Sequence, residues 1–121
     1  MPSRERLEDL IEHVRRGRLP EAIEKFYADD VVMQENRQPP TVGKAANLER
    51  ERGFTAWLAQ WHEALPVSVT IDGDHVAIAW VLDYSTTDGK RIRMEEVAYQ
   101  TWKGDRIVQE RFYYDSATLA A

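Results

Sequence analysis

Residues Arg91–Asp115, RIRMEEVAYQTWKGDRIVQERFYYD, decide how this 121-residue chain folds. Aromatic and β-branched residues flank Lys103-Gly104-Asp105, so the stretch predicts two strands joined by a tight turn. Successive side chains of a strand point to opposite faces. One face therefore collects Met94, Glu96, Ala98, Gln100 and Trp102, then Val108, Glu110, Phe112 and Tyr114. The other collects Glu95, Val97, Tyr99 and Thr101, then Ile107, Gln109, Arg111 and Tyr113. Acids and amides sit among aromatics on both. That mixture predicts a lined pocket on one side of the sheet and a wet or partner-facing surface on the other.

Upstream of this hairpin the period-2 pattern continues. Val76, Ile78, Trp80, Leu82 and Tyr84 alternate against Ala77, Ala79, Val81 and Asp83, with turns at Asp72-Gly73-Asp74 and Thr87-Asp88-Gly89-Lys90. Val67, Val69 and Ile71 form the strand before. Earlier still the period becomes helical. Ser3 caps a first helix carrying Leu7, Leu10, Ile11 and Val14, which Gly17 ends. Pro20 opens a second helix that buries Ala22, Ile23, Phe26 and Tyr27 and breaks at Asp29-Asp30. Val31, Val32 and Met33 make a short strand running into Gln34-Glu35-Asn36, and Pro39, Pro40 and Gly43 mark a loop.

From Lys44 to about Ala64 the spacing of Leu48, Phe54, Trp57, Leu58, Trp61 and Leu65 predicts one long helix, with Gly53 as a point of weakness and Pro66 as its end. Three N-terminal helices followed by an antiparallel meander predict an α+β fold, with the helices on one face of a curved sheet. Residues 1–121 are expected to form a single domain, with a loose tail from Ser116.

Composition narrows the function classes. Hydrophobic residues at 43% and charged residues at 31% are those of an ordinary globular protein. The absence of cysteine excludes disulfides, a thiolate nucleophile and cysteine zinc sites, and fits a reducing compartment. A net charge of -5 argues against a nucleic-acid partner. Arg15, Arg16 and Arg18, like Arg50 and Arg52, are interleaved with acids and are expected on solvated helix faces. No apolar run approaches ~18 residues and MPSRERLEDL lacks a signal-peptide core, so the expectation is a cytoplasmic protein without a membrane partner. His13, His62 and His75 have no ligand spacing, so no metal is expected. Without a glycine-rich phosphate loop, no cofactor is expected either.

The order of elements resembles the nuclear transport factor 2-like superfamily, in particular its SnoaL-like branch. The residues carrying the likeness are Phe26-Tyr27-Ala28-Asp29-Asp30-Val31-Val32, Val42-Gly43-Lys44, Gly104-Asp105-Arg106-Ile107-Val108 and Arg111-Phe112-Tyr113-Tyr114-Asp115. The resemblance implies a cone: three helices packed on a curved antiparallel or mixed β-sheet, with a small-molecule pocket between. It also implies a homodimer through the outer sheet face, here Tyr99, Ile107, Arg111 and Tyr113. The superfamily holds isomerases, cyclases, hydrolases, dehydratases and non-enzymatic binding domains, so the fold does not name a reaction.

The resemblance places Glu35 at the proton-shuttling aspartate of the ketosteroid isomerases. An apolar cone would raise the pKa of such a carboxyl toward that of a useful general base. The two oxyanion-hole positions of those isomerases fall on Leu10 and Ala98, so that device is missing here. The three catalytic positions of limonene epoxide hydrolase fall on Trp80, Leu82 and Phe112, which excludes that triad. Glu96 and Glu110 occupy the inward face of neighbouring strands and are expected as near neighbours sharing one proton. The candidate catalytic residues are therefore Glu35, Glu96 and Glu110, with Trp57, Trp61, Trp80, Met94 and Phe112 lining the substrate. Alternatively, Glu35 caps a helix or pairs with Arg37, and one of the other two acids pairs with Arg91, Arg93 or Arg111. A one-residue register slip would put Glu95 in place of Glu96.

Overall fold

The computed structural model describes residues 1–119. The elements run α1 (Arg4–Arg15), α2 (Leu19–Phe26), β1 (Tyr27–Glu35), β2 (Thr41–Val42), α3 (Lys44–Trp57), β3 (Leu58–Asp72), β4 (His75–Thr86), β5 (Arg91–Lys103) and β6 (Arg106–Tyr114). One six-stranded sheet has the order β2-β1-β6-β5-β4-β3. β1 and β6 are parallel, and every other neighbouring pair is antiparallel. α3 carries the chain from β1 near one edge to β3 at the other. This crossover lays the three helices over the inner face, where β4 buries Val76, Ile78, Trp80, Leu82 and Tyr84.

Local chemistry sets the helix ends. The Ser3 hydroxyl accepts the Arg6 amide N–H at 3.1 Å and starts α1, which buries Leu7 and Leu10. α2 carries Pro20 in its first turn and buries Ala22, Ile23 and Phe26. α3 runs unbroken through the exposed Gly53.

The long helix expected to Ala64 ends instead at Trp57, and Leu58–Ala64 is the start of β3. The reason lies in two β-bulges. Leu58 pairs with Thr86, Trp61 with Tyr84 and Ala64 with Leu82, so β3 spends three residues for every two of β4. Each extra residue converts the inward period from two to three and imitates a helical stripe. Pro66 lies inside β3 rather than ending a helix. It is tolerated because β3 is an edge strand with one unpaired side.

Bulges also reassign two other faces. Trp102 pairs with Ile107 and Thr101 with Gln109, leaving Val108 as the extra residue of β6. Ile107 is thus fully buried in the core, where the alternation had placed it on the outer, dimerising face. Val108, expected inward, is half-buried. Tyr99 and Tyr113 do lie exposed, and the Arg111 guanidinium sits 4.9 Å over the Tyr113 ring. β1 is longer than the expected Val31–Met33. A register shift between Tyr27 and Val32 lets Asp29 and Asp30 face solvent within the strand. The expected loose tail forms a 3-10 turn at Ser116–Leu119, with Leu119 against the core; its last two residues lie outside the described ones.

Gly17, in the turn between α1 and α2, lies against Trp61 of β3. Its φ is +72°, and a Cβ there would lie 3.0 Å from Trp61 Cδ1 and Cγ. Trp61 is held in place, stacked on Tyr84 at 5.8 Å and donating its indole N–H to the Val14 carbonyl at 3.1 Å. Gly17→Ala is therefore expected to lose at least about 1–2 kcal/mol from the left-handed backbone, before any clash. Urea unfolding would read this as a lower midpoint at unchanged slope. An unchanged midpoint would show that the turn and the indole give way freely.

Candidate active site

Between the helices and the concave sheet lies a cavity of about 310 Å³. Its walls are largely apolar, with Leu10, Ile23, Met33 and Ile78 at the helix–sheet junction. All eight residues singled out from the sequence border it: Glu35, Glu96, Glu110, Trp57, Trp61, Trp80, Met94 and Phe112.

Glu35 ends β1. One carboxylate oxygen accepts the Tyr114 hydroxyl at 2.7 Å, and the other is paired with the Arg50 guanidinium. Its cation is thus Arg50 and not the expected Arg37. Arg50, expected on a solvated helix face, is drawn inward by this pair and borders the cavity.

Glu110 is only 2% exposed. It accepts the Tyr27 hydroxyl from β1 and the Gln100 amide N–H from β5 at 2.7 Å. Gln100 in turn accepts the Trp102 indole N–H at 3.0 Å. Burial pushes the Glu110 carboxyl up to about 7, against the lowering effect of the two hydrogen bonds. The same burial, with Glu110 alongside, pushes the Tyr27 hydroxyl well above its usual range.

Glu96 and Glu110 share a face but are not opposite one another. Glu110 pairs across the sheet with Gln100, while Glu96 pairs with Trp80 on one side and Tyr114 on the other. They remain close enough for the Glu110 charge to act on Glu96. Burial, then the nearby Glu110 and Glu35 carboxylates, push Glu96 up to about 8. No hydrogen bond or cation offsets this among the described residues. Two of the three arginines named as alternative partners are engaged elsewhere. Arg91 makes a two-pronged pair with Asp83 at 3.0 and 2.9 Å, and Arg111 donates to the Asn36 carbonyl at 2.9 Å.

Glu51, on α3, also borders the cavity and was not anticipated. Burial pushes it up to about 7, partly offset by Arg50. Its signal is present in the sequence: Glu51 lies three residues from both Leu48 and Phe54, in the middle of the apolar stripe. Tyr27 and Tyr114 were likewise not singled out as site residues.

The aromatic residues divide into two groups. Phe54, Trp57 and Trp61 pack on Tyr84 with ring centroids 5.5, 6.4 and 5.8 Å away. Trp80 is buried on the sheet beside Glu96. Leu10 and Ala98 also line the cavity, so the two positions that the resemblance assigned to oxyanion donors are apolar here. His62 bonds Ser85 Oγ at 2.7 Å and is absent from the cavity wall. The described residues hold no cluster of three side chains suited to a metal.

Helices on a six-stranded mixed sheet, enclosing a cavity that both layers line, define the nuclear transport factor 2-like cone. Within that class the chain belongs to the SnoaL-like domain family, whose profile matches residues 7–110. A proposed SnoaL-like polyketide cyclase from Mesorhizobium loti is 29% identical over 94% of this chain and 100% of that one, with a TM-score of 0.77. TerC, crystallised with polyporic acid, is 15% identical over 96% of this chain and 93% of that one, with a TM-score of 0.80. A protein of ketosteroid isomerase-like fold from Catenulispora acidiphila, in complex with trimethylamine, is 18% identical over 84% and 79% of the two chains, with a TM-score of 0.73. The last two likenesses show the fold alone. No curated protein matches the chain. No helix among the described residues is long and apolar enough to cross a membrane.

The raised acids have a consequence for stability. Glu51, Glu96 and Glu110 ionise at about 7, 8 and 7 in the folded chain, against 4.5 ordinarily. Between these limits the folded state keeps protons that the unfolded state has lost, so stability falls as pH rises. Each group contributes about 1.4 kcal/mol per pH unit within its window. Asp9 and Asp83 are held low and titrate below this range. Glu96→Gln is expected to flatten the slope by one group's share and to be more stable than wild type near pH 8. Urea titrations at several pH values check this; equal slopes in the two proteins would contradict it.

Proposed function

We propose that this domain binds a small, mainly apolar, oxygen-bearing compound in the cone and transfers a proton on it without a cofactor. The reaction class is isomerisation, cyclisation, dehydration or hydration. One observation carries the reading. The cavity holds a carboxylate paired with Arg50 and hydrogen-bonded by Tyr114, Glu35, and a carboxyl with no cation beside it, Glu96. The first can take a proton and the second can give one, from a single residue type. Trp80 and Phe112 serve as walls, with Trp57, Trp61 and Met94 completing the apolar enclosure. Glu110, already bonded to Tyr27 and Gln100, fixes the floor rather than reacting. The proposed cyclase from Mesorhizobium loti and the polyporic acid bound by TerC support a small-molecule role for this cone.

A second reading is a binding module without catalysis. It is favoured by the Arg50–Glu35 pair, which engages a carboxylate oxygen of the intended base.

A thermal-shift and turnover screen against ketones, lactones, terpenoid alcohols and aromatic polyketide fragments separates the two. It should be run on wild type, Glu35→Gln and Glu96→Gln together. Under the first reading all three proteins share hits, and turnover falls by about 100-fold or more in each variant. The wild-type rate should also decline as pH passes about 8, where Glu96 loses its proton. Shared hits with no turnover in wild type would favour the binding module. No hits in any protein would overturn the cavity as a ligand site.

A further inference from the structure

The charge around the cavity is one-sided. Four carboxyl groups border it, Glu35, Glu51, Glu96 and Glu110, against the single guanidinium of Arg50. Arg50 is engaged by Glu35, and Glu110 by Tyr27 and Gln100. That leaves Glu51 on the helix side and Glu96 on the sheet side, each without a hydrogen bond or dedicated cation among the described residues. Tyr84 lies close enough to Glu96 and Glu35 for their charges to act on its hydroxyl. Against Tyr84 pack Phe54, edge-on at 5.5 Å, and Trp61, stacked at 5.8 Å. These rings border the same space.

Each feature selects the same kind of ligand. Unpaired carboxyls in a poorly solvated space disfavour the empty site once ionised, and they repel an anion. Aromatic faces carry negative potential and attract a cation within about 6 Å. A purely neutral compound would use neither. We propose that the ligand carries a basic nitrogen, and that its ammonium group sits between Glu51 and Glu96 against the aromatic cluster on Tyr84. The proposal rests on the reading of the cavity as a ligand site and deepens its binding-module form: with an amine bound, Glu96 is ionised and holds the cation instead of donating a proton.

Proton balance gives the inference its signature. Near neutral pH the empty site holds a proton on Glu96, and Glu51 is part-protonated. An incoming ammonium favours the carboxylates, so those protons leave to buffer as the cation binds. The other charged or titratable groups facing the pair are Glu35, Arg50, Glu110 and the Tyr27, Tyr84 and Tyr114 hydroxyls. Of these, Glu110 titrates in the same range and adds to the release. Affinity for an amine therefore rises with pH through this range.

Calorimetric titration with N,N-dimethylbenzylamine and N,N-dimethylbenzamide tests this. The two share a skeleton, and only the first is cationic. The amine is expected to bind at least about tenfold more tightly than the amide near pH 7.5. It should release protons, seen as a dependence of heat on buffer, and weaken as pH falls to about 6. Paired Glu51→Gln and Glu96→Gln substitutions should abolish the preference while leaving amide binding in place, which also reports that the variant is folded. An amide bound as tightly as the amine would overturn the nitrogen assignment and leave the proposed function standing. Failure of both probes to bind would overturn the cavity reading and this inference with it.

Discussion

A carboxyl group buried without a cation, Glu110, is the constraint on which this fold's interior turns. Left unsatisfied, such a group would cost several kcal/mol. Its two partners come from different strands: Tyr27 opens β1, and Gln100 sits directly across from it on β5. The parallel β1–β6 pair and the antiparallel β5–β6 pair must therefore both hold their registers for the carboxyl to be satisfied. Trp102 extends the network by donating to Gln100, and its own position depends on the bulge that turns Ile107 inward. A polar network of this kind ties the N-terminal strand to the meander more specifically than apolar packing alone.

With one end of the cavity fixed in this way, the other acids fall into distinct environments. Glu35 is ion-paired and hydrogen-bonded at the end of β1, whereas Glu96 and Glu51 face the open volume. The differences arise from position in the fold and not from residue type. Burial and mutual repulsion raise the unpartnered acids, whereas Arg50 and Tyr114 occupy the two carboxylate oxygens of Glu35. Proton chemistry and cation recognition both draw on this one asymmetry.

The meander and the inward set Met94, Glu96, Ala98 and Gln100 are legible in the sequence because their strands alternate without interruption. Where bulges intrude, reading by period fails. Leu58, Trp61 and Ala64 recur every three residues and look helical, yet they are strand positions opposite every second residue of β4. Ile107 and Val108 exchange faces for the same reason. Long-range pairing decides such registers, and local propensity does not carry it. Arg50 is a failure of a different kind. A charge among acids reads as solvated surface, and only the end of β1 brings Glu35 to it. Glu51 was readable, as an acid in the centre of an apolar helical stripe.

The central claim is that the cavity keeps carboxylic acids protonated at neutral pH, and a ¹³C NMR titration of the glutamate side-chain carboxyls tests it most directly. Three resonances, assigned by Gln substitution to Glu51, Glu96 and Glu110, should titrate at about 7, 8 and 7. If all three instead titrate in the ordinary range near 4.3, the cavity is wet, the acids are charged, and the account fails.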